Sequence, residues 1–427
     1  MHSNTTTPLA HAHRFLRPFR LLRRLRPSRR SPIGCGLAAA ILLSALQLFS
    51  PSALSLSASP ANMMSKVQRI GDRPGSQMLS IFNACPESPD GKWICYAYYP
   101  TLSTAKGGNS PVPVQVIIRD RATGKERVLA DAKSGNHNGL NAIWLDPRTI
   151  AFQTNANKQF SVMDVITGKK IADNMIGELP HKAVGETLLY FARDAVKSPG
   201  KPDDWGIWEL NWKTGALRRV VSQQQLYAAL HALNPKVLDE KVTLLHVDPS
   251  PDGKRVATAY RYQVDGDKAP LLAYFNAADG TGIGFLKDRP MHPLWYDNDT
   301  FMGVYTQNKD RLISRYNMIP GERIEKLAGL TTHDSASPDR KWFAGETSYY
   351  RPAPDGYTRI ALYRRGEMTP AAILAEWKEN DHTPTWKLHA HVSCSFSDDG
   401  QRVYFLRVTP DNRTEACVFE MSNLRAK

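Results

Sequence analysis

The chain has 427 residues, of which 42% are hydrophobic and 22% charged. This is ordinary globular composition, with ample material for a core, and it excludes collagen-like, coiled-coil and intrinsically disordered classes. The formal charge of +14 is poor evidence for nucleic acid: residues 1–30 hold eight arginines, residues 1–66 hold no Asp or Glu, and setting those arginines aside leaves only about +6.

Residues 1–61 read as an export leader. An Arg-rich segment precedes an apolar run, Leu37 to Phe49, and small residues follow from Ser50 to Ala61. That order is the one a signal peptidase requires, and the run is too short for a comfortable membrane span. Ser28-Arg29-Arg30 lies just ahead of the run in the manner of a twin-arginine signal. The leader places the mature chain in the periplasm or outside the cell, with membrane contact only during export. Cys35 precedes the apolar run and is not placed like a lipoprotein cysteine. Cys85, Cys95, Cys394 and Cys417 follow the leader, an even number that allows bridges. Cys85–Cys95 and Cys394–Cys417 are the candidate pairs. Free buried thiols, or Cys394 as a metal ligand, are the alternatives.

From residue 67 to residue 427 one phrase recurs. Its turns are Ser88-Pro-Asp-Gly91, Asp146-Pro-Arg-Thr149, Val184-Gly-Glu-Thr187, Ser250-Pro-Asp-Gly253, Asp297-Asn-Asp-Thr300, Ser337-Pro-Asp-Arg340 and Ser397-Asp-Asp-Gly400. Pro and Asp pre-set such turns and Gly supplies positive φ. A β-rich run follows each turn, for example Trp93 to Tyr98, Val256 to Tyr260 and Val403 to Leu406. Second turns follow most runs, at Gly124, Gly168, Gly215, Gly280, Gly321 and Gly366. The unit is therefore four strands, at a period of roughly 50 residues. The pattern predicts an all-β chain, a single seven-bladed β-propeller domain. Gln223 to His231 is the one stretch that reads as a helix, in a loop between units.

Histidines recur within the phrases. His246, His292 and His333 precede the turn residues Pro251, Asp297 and Pro338 by five positions, and His391 precedes Asp398 by seven. Side chains alternate with period 2 on a strand, so these odd offsets predict one common face on the innermost strands of four consecutive blades. Convergent imidazoles are a metal-ligand set, suited to Zn or Mn with an oxygen or thiolate partner. His292, His333, His389 and His391 are the candidate ligands, and His246 is the candidate substrate contact. A second set is basic and aromatic. Tyr190 and Arg193 end the third unit's first run, Tyr260 and Arg261 end the fourth unit's, and His137 sits in a Gly-Asn-His-Asn-Gly loop before the second. Arg clamps carboxylates, and Tyr and His transfer protons. The sequence has no nucleophile elbow, P-loop, HExxH or dinucleotide fingerprint.

At these residues the chain resembles the propeller-type polysaccharide lyases, the oligogalacturonate lyases and the related ulvan lyases. Met291-His-Pro-Leu-Trp-Tyr-Asp-Asn-Asp299, Thr332-His-Asp-Ser-Ala-Ser-Pro-Asp339 and His389-Ala-His391 carry the resemblance. The family's glutamine ahead of its histidine pair is Trp386 here. The resemblance implies a lyase that cleaves an anionic uronate glycan by β-elimination, with Mn or Zn held by His292, His389 and His391. It also implies Tyr260 and His137 as base and acid, and Arg193 or Arg261 on the carboxylate. The protein is expected to work as a monomer, with the glycan as its partner and no nucleic acid. The rival expectation is a non-catalytic periplasmic propeller of the Tol-system kind, which shares the Ser-Pro-Asp-Gly hairpins. A serine-peptidase propeller would need a hydrolase domain that this sequence does not show.

Overall fold

The Ser-Pro-Asp turns fold alike in the computed structural model of the chain. In each, the Ser Oγ donates to the Asp carboxylate and accepts from the backbone N–H five residues on, at 2.6 and 2.9 Å for Ser88 and at 2.7 and 3.0 Å for Ser250 and Ser337. Ser397 repeats the pattern with Asp399 at 2.6 Å and the Arg402 N–H at 3.0 Å. These turns hold the first and second strands of their units together. The structure describes residues 60–80, 84–100, 111–135, 139–155, 158–192, 205–237, 243–264, 267–286, 291–304, 312–318, 322–331, 333–346, 355–378, 392–411 and 413–424.

The described strands run as seven consecutive antiparallel meanders, over residues 76–134, 143–176, 187–222, 243–286, 291–330, 334–378 and 394–420. The first two belong to one hydrogen-bonded sheet, joined by a single parallel pair, Lys133 with Asn155. The third has no regular inner strand; residues 178–184 take that place irregularly, with a bridge between Val184 and Thr187. The helix Gln223–Leu233 then follows, opened by a capping box in which Ser222 and Gln225 satisfy each other's backbone N–H.

The apolar clusters lie between neighbouring meanders. Phe160 and Val162 of the second pack with Leu188 and Tyr190 of the third. Ile207 and Val221 of the third pack with Val256 and Phe275 of the fourth. Leu272 of the fourth packs with Trp295 and Phe301 of the fifth, and Leu327 of the fifth with Phe343 and Tyr363 of the sixth. The largest cluster joins residues of the sixth and seventh meanders to the first and second, among them Leu362, Phe405, Tyr96 and Phe152. Each sheet is thus buried on both faces by its neighbours, which is the packing of a β-propeller.

The seventh meander does not end as the sequence pattern predicts. Its fourth strand is Gln68–Arg69, from the start of the domain, which pairs with Val418 and Cys417. Ala61–Asn62 likewise pairs in parallel with Ala372 and Ile373 of the sixth. Borrowing a strand from the other end of the chain covers an edge that would otherwise be open.

All four described cysteines are free thiols, which corrects the candidate bridges. Cys394 and Cys417 both pair with Phe405, from opposite sides. Two inter-strand spacings, about 9.5 Å, exceed the ~7 Å a disulfide spans. Cys95 donates to the Pro86 carbonyl at 2.8 Å, so Cys85, one residue earlier, falls on the other face of that pair. Burial raises all four thiols, to about 12 for Cys417. Thiol titration of the unreduced, denatured chain is expected to count all four of these cysteines; a deficit of two would show a bridge.

Candidate functional site

Inner segments of all seven meanders line one cavity of about 520 Å³, with Cys85, Leu145, His181, Asp248, Trp295, Arg340 and Asp398 each from a different meander. It lies at the turn ends of the inner strands, where the chains converge.

The ladder register places three of the predicted histidines at one level. Pro249 pairs with Val256, Trp295 with Phe301 and Ala336 with Phe343, each three residues after its histidine. His246, His292 and His333 are therefore equivalent positions. In the seventh meander Phe396 pairs with Val403, so Ser393 holds the equivalent place and His391 stands two residues earlier. His389 and His391 lie outside the described residues.

Period 2 does not set the direction of these rings, contrary to the expectation. His246 and His292 have φ of +54° and +50°, and the ladder shifts register at both. Asn141 stands three residues before Trp144, which pairs with Ile150, and it too has a positive φ, +47°. A bulge with a left-handed residue re-aims one side chain out of the strand's alternation. Such backbone costs about 1–2 kcal/mol in a non-glycine residue and is concentrated at functional sites.

The rings come together in pairs. His292 stacks on His333 with centroids 4.4 Å apart and planes 22° apart. The His333 Nδ1 bonds the Glu346 carboxylate, and both residues are fully buried. Asp334 and Cys394 lie in the same buried region, since the charges of Glu346 and Asp334 add to burial in raising the Cys394 thiol. The second pair is His246 with His181, centroids 5.2 Å apart. Asp248 holds His181 at two points, through the ring Nδ1 at 3.1 Å and the backbone N–H at 3.2 Å. The Trp295 indole N–H donates to the Asp248 carbonyl at 3.1 Å and ties this pair to the next meander. A carboxylate on Nδ1 fixes the orientation of an imidazole. His181 and Asp248 both line the cavity wall.

Only part of the expected metal site lies among the described residues, since His389 and His391 fall outside them. A metal lies in the plane of each imidazole that binds it, about 2.1 Å from the nitrogen. Two rings stacked face to face at 4.4 Å and 22° have no common point at that distance, so His292 and His333 do not share an ion as they stand. No three His, Cys, Asp or Glu side chains among the described residues gather as a ligand set.

The other predicted residues are placed as follows. Tyr190 is core, only 4% exposed and edge-on to Phe160 at 5.0 Å. Burial pushes its hydroxyl up to about 12. Tyr260 and Arg261 pair with Leu244 and Thr243, at the His246 end of the sheet, and their side chains lie outside the described part. His137 and Arg193 lie outside the described residues. His181 and Asp248 escaped sequence reasoning. His181 lies in a segment without a regular strand, so no strand periodicity marked it.

No protein-family model matches this chain, and no curated protein matches it in sequence. Solved structures do resemble it. An oligogalacturonate lyase in complex with manganese superimposes with a TM-score of 0.55 at 12% identity, covering 84% of this chain and 94% of that one. The oligogalacturonate lyase of Vibrio parahaemolyticus gives 0.52 at 13%, covering 83% and 93%. TolB of Acinetobacter baumannii gives 0.34 at 15% identity over 56% of this chain and 52% of that one, too loose to carry an argument. At such identities the likeness is one of fold. No helix among the described residues is long and apolar enough to cross a membrane.

Proposed function

We propose that this chain is an exported seven-bladed propeller that cleaves a uronate-containing glycan by β-elimination. The observation that carries the reading is the pair of imidazoles His181 and His246, with His181 held by Asp248 on the cavity wall and His246 on left-handed backbone. A lyase of this class needs a base on one proton and an acid on the leaving oxygen. The base takes the proton from the carbon beside the carboxylate. The C–H electron pair becomes the new C=C bond. The bond to the 4-linked oxygen breaks, its pair stays on that oxygen, and the acid supplies the proton.

In this reading His181 is the oriented base and His246 touches the sugar or its leaving oxygen. Tyr260 and His137 remain candidates for the acid. Arg261 and Arg193 remain candidates for neutralising the carboxylate, without which the proton is too weakly acidic. A metal would need His389 and His391 together with a turned His292. The reading keeps the expectation of a monomeric, periplasmic or secreted enzyme acting on an anionic glycan.

The test is absorbance near ~235 nm, where an unsaturated uronate is expected to absorb, with pectic, ulvan and glycosaminoglycan substrates. A rise is expected with at least one of them. His246→Ala and His181→Ala are each expected to lower the rate about 10²-fold or more. Tyr190→Phe, a core change, is expected to leave it unaltered. No rise with any glycan, with or without added Mn or Zn, would leave the non-catalytic propeller as the better reading.

A further inference from the structure

A second feature of the cavity has no part in that chemistry. The Ser-Pro-Asp turns of the first and fourth meanders and the Ser-Asp-Asp turn of the seventh end in Gly91, Gly253 and Gly400, with φ of +72°, +70° and +68°. The sixth ends in Arg340, with φ of +59°. Its turn keeps the same hydrogen bonds, including the Arg340 N–H to the Ser337 carbonyl at 2.9 Å. The fold therefore accepts glycine there, and this chain instead carries a strained arginine on the cavity wall.

The guanidinium is held but not neutralised. It lies 5.1 Å from the centroid of the Tyr296 ring. Arg315 and Arg365 face the same ring, at 4.8 and 6.0 Å, but both have carboxylates: Arg315 has Asp297 at 2.5 Å, and Arg365 bonds Glu325 in bidentate fashion at 2.7 and 2.8 Å. Arg340 forms no ion pair among the described residues. Burial lowers its affinity for its proton, partly offset by Tyr296 and Asp297. The Tyr296 hydroxyl beside it is buried and has no hydrogen-bond partner among the described residues. The acids on the cavity wall are mostly engaged. Glu87 is bonded by Arg402 and Tyr404, and Asp248 by His181, while Asp398 is exposed. Lys182 adds a second cation to the same wall.

We infer that Arg340 is an anion-binding residue of the cavity, which takes the carboxylate or phosphate group of a small ligand. A planar guanidinium stacked on a ring presents its edge donors, and two parallel N–H···O bonds to an oxyanion are the strongest use of that edge. The inference does not rest on elimination chemistry. A chain inactive toward every glycan can still bind an anion here.

Melting of the full chain tests it, with galacturonate, inorganic phosphate and neutral galactose as probes at matched ionic strength. Matching holds general screening fixed. Galacturonate or phosphate is expected to raise the melting temperature and galactose is not; whichever anion acts identifies the source. Arg340→Gly is expected to melt at or above the parent, because strain is relieved, and to bind the anion about tenfold more weakly or worse. Three results overturn the inference: no response to either anion, an undiminished response in Arg340→Gly, or a large fall in the melting temperature of unliganded Arg340→Gly, which would make Arg340 a structural residue.

Discussion

Glu87→Ala is expected to destabilise the fold by about 3 kcal/mol, the lower end of the range for breaking a buried pair. Glu87 is 3% exposed, in the inner segment of the first meander. Its carboxylate accepts from Arg402 Nε at 2.8 Å and from the Tyr404 hydroxyl at 2.6 Å, both on the second strand of the seventh. These bonds connect the two ends of the domain, across 315 and 317 residues of sequence. Removing the carboxylate leaves a buried guanidinium and a buried hydroxyl short of an acceptor. Arg402 retains Asp399 at 2.6 Å and Glu420 at 3.9 Å, which keeps the loss toward the low end. Burial and the Glu87 charge hold the Tyr404 hydroxyl in its protonated, donating form. Tyr404→Phe removes only that donor and is expected to cost about 1 kcal/mol. Urea denaturation measures both. A loss under about 1 kcal/mol in Glu87→Ala would mean that strand pairing and apolar packing hold the two ends together without it.

The second large effect is a gain. Asp334 is 4% exposed, and neither carboxylate oxygen has a hydrogen-bond partner among the described residues. Burial raises it from the model-compound value of 3.8 to about 7, against the opposing pull of His333. A folded-state value above the unfolded one means that the native protein holds the proton more tightly. The associated stability is present below the unfolded value and disappears as pH rises toward 7. Asp334→Asn keeps the shape and removes the ionisation. It is expected to raise the melting temperature at pH 8, by an amount equivalent to a few kcal/mol on the order of 1.4 per unit, and to change little at pH 4. Equal effects at both pH values would show that Asp334 is paired in solution.

Much of the fold was legible because turns are local. Ser, Pro, Asp and Gly act within four residues, so seven turn phrases with β-rich runs after them reported seven meanders without any long-range information. The substitution of Arg340 for a turn glycine was equally visible, as Ser-Pro-Asp-Arg among its sisters. The histidine offsets correctly placed His246, His292 and His333 at one level of the ladders. They did not predict where the rings point. That depends on bulges, which arise from pairing with the next strand and leave no mark within the inner strand itself.

What the sequence by itself determined was a β-rich repeat of turn-linked strands and the strand positions of three histidines, because periodicity and turn chemistry are properties of short stretches. Tertiary structure alone decided the rest. It turned His246 and His292 out of alternation, joined His181 to Asp248 and His333 to Glu346, and kept Cys394 two strands from Cys417. It also completed the last meander with Gln68–Arg69. Each of these depends on residues 10 to 350 positions apart meeting across a ladder or a packing face, and contact at that range is set by how whole sheets pack, which no local pattern encodes.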